Sequence, residues 1–474
     1  MSNPAAATNP DTNPSLLPLP VAAMRELVEG GATRPLAWRL EQLQRLDRLL
    51  ESAAQQMVEA LASDLGRPEV EANIELAVLR EELRHTRRHL AGWMRPRRRS
   101  LPLWAWPGQG TVRTEPLGCV LIIGAWNYPF GLCLHPLLHA LTAGNTAVLK
   151  PSEQSPASAA LLAELLAGHF PPEVVQVVCG DGTVASRLLQ EERFDHIFYT
   201  GGERVGRLVM AAATRHLTPV TLELGGRNPA IVLEDADPAI TARRLLWGRC
   251  LNAGQTCLAP NHVLVLPGAR DALVAAFAGQ ARALYGPDPL ASPDLGQLAG
   301  SSRFERLEGL LAQARERGQV LLGGRCDPAQ QRMEPTLVAV DEPLTDPLMQ
   351  EELFAPILPL LTVGDLDEAL ALVRRTPKPL ALYLFGGGAV ERERVLTGTS
   401  SGSVVVNDVV VQGAMASLPF GGIGPSGMGA YHGQAGFLTF SHLRCVLSRP
   451  LWPDPPVRYP PYAGKLGLIR RLMG

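Results

Sequence analysis

Cys119-Val120-Leu121-Ile122-Ile123-Gly124 is an unbroken apolar run closed by a glycine. A strand with one face in water alternates apolar and polar residues. This one does not, so it reads as a strand covered on both faces, as in a parallel sheet layered with helices. The chain beyond it keeps the same rhythm. Helix-like stretches at 136–143, 157–167 and 184–190 alternate with strand-like runs at 146–149, 174–178 and 196–199. Such alternation predicts an open, doubly wound α/β sheet. A second unit of the same kind is expected over 223–410, with strands near 230–233, 262–265 and 382–385 and a last one at Val404-Val405-Val406.

Toward the amino terminus the texture is helical from 21 to 94. Leu36, Leu40, Leu43 and Leu46 recur at helical spacing, and Leu49 and Leu50 extend the same apolar face. Asp64-Leu65-Gly66-Arg67-Pro68 stops one helix and starts the next. The basic run at 95–99, broken by Pro96, is expected to be a solvated helix end and linker. Residues 1–20 have neither the basic start nor the apolar stretch of a signal peptide and read as a flexible leader. Glycine and proline grow dense between Leu418 and Gly436, as expected of a loop-rich segment lying over an active site.

A chain of 474 residues has material for two or three domains, each with its own core. Hydrophobic residues at 46% and charged ones at 19% fit a soluble globular protein, and a net charge of −2 gives no general pull toward nucleic acid or an anionic membrane. Seven scattered cysteines, an odd number, point to free thiols in a reducing compartment, so a cytoplasmic protein is expected. No Cys-x-x-Cys pair or histidine cluster suggests a metal, and no run of about 18 apolar residues suggests a bilayer span.

Against this background Cys257 stands out, in the small-residue turn Asn252-Ala253-Gly254-Gln255-Thr256-Cys257. A free thiol of pKa ~8.5 is only a few per cent ionised at neutral pH, so a nucleophilic cysteine needs a base or a cation beside it. A carboxylate is present upstream in Thr221-Leu222-Glu223-Leu224-Gly225-Gly226, where apolar neighbours would desolvate Glu223 and raise its pKa toward the useful range. After the strand at 196–199 comes Thr200-Gly201-Gly202-Glu203-Arg204-Val205-Gly206. A glycine turn between strand and helix offers free N–H groups to an anion, although the spacing is not Gly-x-Gly-x-x-Gly. Lys150 and Glu153 follow the second strand, on the carboxyl edge where ligands of a parallel sheet bind.

Three further segments complete a pattern: Gly124-Ala125-Trp126-Asn127-Tyr128-Pro129-Phe130, Val148-Leu149-Lys150-Pro151-Ser152-Glu153 and Glu351-Glu352-Leu353-Phe354-Ala355-Pro356. With the segments around Glu223 and Cys257, their order and spacing resemble the aldehyde dehydrogenase superfamily, and within it the short class 3 branch. The resemblance runs from about residue 20 to the carboxyl terminus. It takes in Leu418-Pro419-Phe420-Gly421-Gly422, Ser426-Gly427-Met428-Gly429 and Arg458-Tyr459-Pro460-Pro461-Tyr462.

The resemblance implies two doubly wound Rossmann-type α/β domains with a small β oligomerisation arm. Residues 21–95 and 119–222 would form the dinucleotide-binding domain and 223–410 the catalytic domain. The arm would comprise 96–118 and 411–448, followed by a tail over 449–474. A homodimer is implied, and NAD as cofactor, with NADP also possible. By resemblance, Gly201, Gly202 and Gly206 lie at the pyrophosphate, and Lys150 and Glu153 at the adenine ribose. Leu224 also borders the cofactor, Glu352 would hold the nicotinamide ribose, and Phe354 packs beside it. A carboxylate at Glu153 disfavours a 2′-phosphate, while the lysine tolerates one. The family usually has glycine where this chain has Ala355, a change that bears on the cofactor's pose.

The reaction so implied is oxidation of an aldehyde to a carboxylic acid through a thiohemiacetal and a thioester on Cys257. The Asn127 amide and the Cys257 N–H would be the oxyanion donors, and Glu223 the base for the hydrolytic water. Trp126 and Tyr128 suggest a partly aromatic pocket for medium-chain aliphatic or aromatic aldehydes, aryl-propenals included. Gln412 would line the entrance where relatives often have histidine; being neutral at every pH, it carries no proton relay. Two rival readings are a non-catalytic member of the family, which has no need to keep Cys257, Glu223 and Asn127 together, and an acylating enzyme that passes the thioester to coenzyme A, against which Glu223 argues.

Overall fold

The computed structural model describes residues 19–473. Most of the leader read at 1–20 therefore lies outside the described residues, as does Gly474. The architecture is the expected α/β one, built on two parallel sheets.

The apolar run opens the first sheet as the strand Cys119–Ile123, with every residue buried. Its side chains divide between two cores. Val120 and Ile122 join Leu43, Leu46, Leu76, Leu137 and Phe198 on one face, while Cys119, Leu121 and Ile123 join Met24, Leu188, Val209 and Leu222 on the other. Burial on both faces accounts for the missing alternation, and each buried aliphatic side chain contributes roughly 1.5–3 kcal/mol. Parallel to this strand on one side lie Thr146–Lys150 and then Val175–Val177; on the other lie His196–Thr200 and then Val220–Glu223, edged by antiparallel Gly427–Met428. The winding direction thus reverses between Cys119–Ile123 and His196–Thr200. A crevice opens beyond the carboxyl ends of the strands at such a switch point, and ligands of open α/β sheets bind there.

The second sheet has seven strands in the order Val320–Leu322, Thr336–Ala339, Ile357–Thr362, His262–Val265, Pro229–Val232, Ala381–Phe385 and Ser403–Val406. All pair in parallel except the first. The loops that precede His262, Ile357 and Ala381 meet the loops that follow Ile123 and Glu223: Asn127 reaches Gln255, Trp126 reaches Phe354, and Gly226 packs on Leu380.

A third, antiparallel sheet joins Arg97–Arg99, Gln109–Pro116 and Ser441–Ser448, paired from Ser441 opposite Pro116 to Ser448 opposite Gln109. Here the structure corrects the expectation of a linker at 95–99. The arginines are solvated, but their backbone is paired as an outer strand. The helix expected at 136–143 also starts earlier, at Gly131, with Pro136 inside it. A proline in the second turn forfeits one backbone hydrogen bond, a loss the surrounding core offsets. Among the described residues no helix is long and apolar enough to cross a membrane.

Candidate active site

The site is built where the two sheets meet. The strand Cys119–Ile123 ends at Gly124, where an added Cβ would stand 2.4 Å from the sulfur of Cys133. The chain then turns through Trp126, Asn127 and Tyr128 before the helix Gly131–Ala143 begins. Asn127 is buried, and its side-chain amide donates to the carbonyl of Gln255 at 3.0 Å. Tyr128 shares a 2.6 Å hydrogen bond with the hydroxyl of Thr256.

The opposing wall is the turn after the helix Pro238–Cys250. Asn252 and Ala253 both have φ +54 and Gly254 has φ +80, three successive left-handed residues. That conformation costs on the order of 1–2 kcal/mol for each residue that is not glycine, so outside contacts must hold it. Gly254 is needed for another reason too: an added Cβ would be 2.4 Å from the backbone carbonyl of Ala355. Cys257 follows, half-buried and free. Its carbonyl accepts from the Asn228 amide at 2.7 Å, and that amide also donates to Ala259 O at 3.1 Å. Burial pushes the thiol up to about 12, and the nearby carboxylates of Glu352 and Glu223 push the same way.

Glu223 ends the strand Val220–Glu223 and is 3% exposed. Neither of its carboxylate oxygens has a hydrogen-bond partner among the described residues. Burial raises its pKa well above the usual carboxylate value. A buried carboxyl group left without donors is costly as an anion and is suited to exchange a proton with a water or a substrate. Glu352 is also raised, to about 8, chiefly by burial. It lies against Gly225, where an added Cβ would be 1.9 Å from its Oε2, and its Oε1 has no partner among the described residues.

Along the carboxyl edge of the first sheet, buried Lys150 donates to the Glu153 carboxylate at 2.6 Å. Gly201 and Gly202 lead into the helix Glu203–Ala213, and an added Cβ at Gly202 would meet nothing within 4 Å. Gly206 sits one turn inside that helix, packed on Leu224 so closely that a Cβ would be 2.9 Å from its Cδ2. Phe354, at φ +49, brings its ring within 6.0 Å of Trp126, whose other neighbour is the Arg303 guanidinium at 4.2 Å. A nicotinamide dinucleotide fits this edge. The open helix start at Gly202 suits phosphates, the Lys150–Glu153 pair offers a donor and an acceptor to a ribose, and the free Oε1 of Glu352 is an acceptor that needs a hydroxyl.

The structure thus brings Glu223 and Glu352 near the Cys257 thiol and ties Asn127 and Tyr128 to Gln255 and Thr256, the two residues before it, with Lys150, Glu153, Gly201 and Gly202 along the adjoining edge. Gln412 lies further out: its amide donates to Ser403 Oγ at 3.2 Å and Tyr383 Oη at 3.4 Å, and Tyr383 in turn donates to the carbonyl of Leu258. Four residues escaped the sequence reading. Asn228, just past the Glu223 segment, supports the cysteine loop. Tyr431 is buried where Glu223 and Cys257 both disfavour its ionisation. Its turn is held by Glu82, which accepts from Gly433 N at 2.7 Å. Arg67, in what reads only as a helix-stop signal, reaches both Asn127 and Asn252. Among the described residues no cluster of histidine, cysteine and acidic side chains is arranged to hold a metal ion.

A crevice at the switch point of a parallel sheet that ends at a thiol and two buried carboxyl groups suits an oxidoreductase with a nucleotide cofactor. The chain matches the Aldehyde dehydrogenase family over residues 6–446. It is 42% identical to aldehyde dehydrogenase family 3 member H1 of Arabidopsis thaliana, over 96% of this chain and 94% of that one. It is 45% identical to aldehyde dehydrogenase family 3 member B1 of Homo sapiens, over 92% and 93% of the two chains. Among solved structures it resembles Staphylococcus aureus AldH in a substrate-bound state, with a TM-score of 0.92 at 36% identity, covering 96% of this chain and 98% of that one. The protein belongs to the aldehyde dehydrogenase family and is an NAD(P)-dependent aldehyde dehydrogenase.

Proposed function

We propose that the protein oxidises medium-chain aliphatic and aromatic aldehydes to free carboxylic acids in the cytoplasm, as a homodimer, with NAD preferred over NADP. The observation that carries this reading is Cys257 lying near the carboxyl group of Glu223, which has no partner among the described residues, while the Asn127 amide is tied to Gln255 two positions before the thiol.

In this mechanism the Cys257 sulfur, once deprotonated, bonds to the carbonyl carbon. The oxygen takes up the negative charge of a thiohemiacetal. The second N–H of the Asn127 amide and the backbone N–H of Cys257 receive that charge; one such donor is worth roughly 10²–10³ in rate. The nicotinamide cofactor, when bound, supplies the hydride acceptor. Loss of hydride leaves a thioester on Cys257. Glu223 then takes a proton from water, the resulting hydroxide adds to the thioester carbonyl, and the C–S bond breaks to release the acid and the thiolate. Glu352 and the Lys150–Glu153 pair would hold the two riboses, with Phe354 beside the first. Gly201 and Gly202 would face the pyrophosphate, and Gly206 and Leu224 would keep the helix and strand close behind it. Trp126, Tyr128, Phe420 and Tyr431 give the neighbourhood an aromatic character that suits apolar aldehydes, with Gln412 toward the entrance.

Cys257→Ala tests the reading. It is expected to abolish formation of reduced cofactor with octanal and benzaldehyde while cofactor still binds. Retained turnover would remove Cys257 from the mechanism. Adding coenzyme A should leave the product a free acid; a thioester product would favour the acylating alternative.

A further inference from the structure

Arg67 lies in the turn Gly66-Arg67-Pro68 between the helices Ala54–Leu65 and Glu69–Trp93, a position where a cation ordinarily faces water. Its side chain is instead completely buried. The guanidinium donates in three directions: from Nε to Asn252 Oδ1 at 3.1 Å, from Nη1 to the Glu75 carboxylate and from Nη2 to the backbone carbonyl of Asn127. Its plane also rests on the Tyr128 ring, 4.5 Å from the centroid. Around this hub the same two limbs are tied again. Asn252 Nδ2 donates to Asn127 O at 2.8 Å and to Gln255 O at 3.2 Å. Glu71 accepts from Asn252 N at 2.8 Å, and Glu75 from Gly131 N at 2.7 Å.

These contacts fall on two limbs that lack continuous helix or strand: the turn through Asn127, and the short 3-10 turn Leu251–Gly254, left-handed at Asn252, Ala253 and Gly254, that delivers Cys257. A planar fork satisfies three acceptors in fixed directions, which the point charge of an ammonium group does not. We propose that Arg67 is a positioning residue for the oxyanion site, joining the Asn127 limb to the Cys257 limb so that the Asn127 amide and the Cys257 N–H converge on one oxygen. The inference rests on the oxyanion role given to Asn127 above. Arg67 touches neither the aldehyde nor the cofactor; it acts through the asparagine.

The test compares kcat/KM for benzaldehyde, the NAD dissociation constant and the far-ultraviolet circular dichroism of three chains: Asn127→Ala, the pair Arg67→Gln with Glu75→Gln, and all three changes together. Changing Glu75 with Arg67 avoids stranding a buried carboxylate. The pair is expected to lower kcat/KM about 10²-fold, in the range of a lost oxyanion donor, with an unaltered spectrum and unaltered NAD binding. On top of Asn127→Ala it should add no more than about twofold, because the group it positions is already gone. Losses that multiply, or an undiminished rate in the pair, overturn the proposal. Arg67→Lys keeps the buried charge without the fork and is expected to lose about tenfold in kcat/KM with its fold intact, so a full rate there overturns it as well. If Asn127→Ala itself keeps its rate, the oxyanion reading has failed. If Asn127→Ala is slow while the Arg67 variants are fast, only the positioning role has failed.

Discussion

Asn127 and Gln255 stand 128 positions apart in the chain, and the side-chain amide of the first donates to the carbonyl of the second at 3.0 Å. An asparagine amide has two N–H groups. One is spent fixing the side chain to the loop that carries Cys257, which leaves the other available for the oxyanion of the proposed mechanism. The rigidity of that donor matters because a group that need not reorganise stabilises developing charge better than water does.

Asn127→Ala is therefore expected to lower kcat/KM for aldehydes by about 10²–10³, with little change in cofactor affinity. Steady-state rates and a fluorescence titration with NAD check both halves. A rate within a few-fold of the parent would place the oxyanion elsewhere.

The pH profile follows from two groups that the proposed mechanism uses deprotonated and whose pKa values burial raises. Burial and two carboxylates push the Cys257 thiol up to about 12, and burial raises Glu223 well above the usual carboxylate value. A raised pKa means a smaller active fraction at neutral pH, so turnover should climb as pH rises from about 6 to 9 and fall on acidification. In Glu223→Gln one contributor to that climb is removed, and the profile should flatten where deacylation limits the rate. A parent enzyme whose rate falls across that range would contradict the assignment.

Lys150 and Glu153 form a 2.6 Å pair in which the lysine is buried and the carboxylate is 44% exposed. A carboxylate facing the adenine ribose accepts from its hydroxyls and repels a 2′-phosphate. Glu153→Gln is expected to shift the ratio of NAD to NADP affinity toward NADP by roughly tenfold, whereas Lys150→Ala weakens both. Dissociation constants for the two cofactors measure this, and an unchanged ratio in Glu153→Gln would free that residue from any part in selection.

The arm carries Leu443 and Leu447 on one face of Ser441–Ser448, both more than half exposed. Residues four apart on a strand share a face, and the proposed homodimer would cover this apolar pair. Replacing both with arginine is expected to halve the mass seen by light scattering. A parent chain that already runs as a monomer would contradict the homodimer.

What the sequence made legible is what burial enforces locally. The strand Cys119–Ile123 announced itself because both its faces are covered, and Gly66 marked a helix end because it sits left-handed at φ +55. Ile357–Thr362, fully buried for most of its length, passed unnoticed because Pro359 interrupts it and proline ordinarily argues against an inner strand. Thr336–Ala339 and Val320–Leu322 are too short to show a period. Within the site, each residue that bears chemistry sits in a recognisable segment. The residues that hold those segments together do not: the Arg67 to Asn252 contact spans 185 positions and the Glu82 to Gly433 contact spans 351. No local pattern encodes a partner that distant, and only the fold reveals it.

On the mechanism proposed above, Cys257 carries the acyl group during turnover, and the slowed hydrolysis expected of Glu223→Gln makes that group visible. Mass spectrometry of Glu223→Gln mixed with benzaldehyde and NAD is the most direct measurement. One benzoyl group is expected on the peptide containing Cys257, formed only when NAD is present. Benzoate released at the parent rate with no adduct, or an adduct on another of the cysteines, would contradict it.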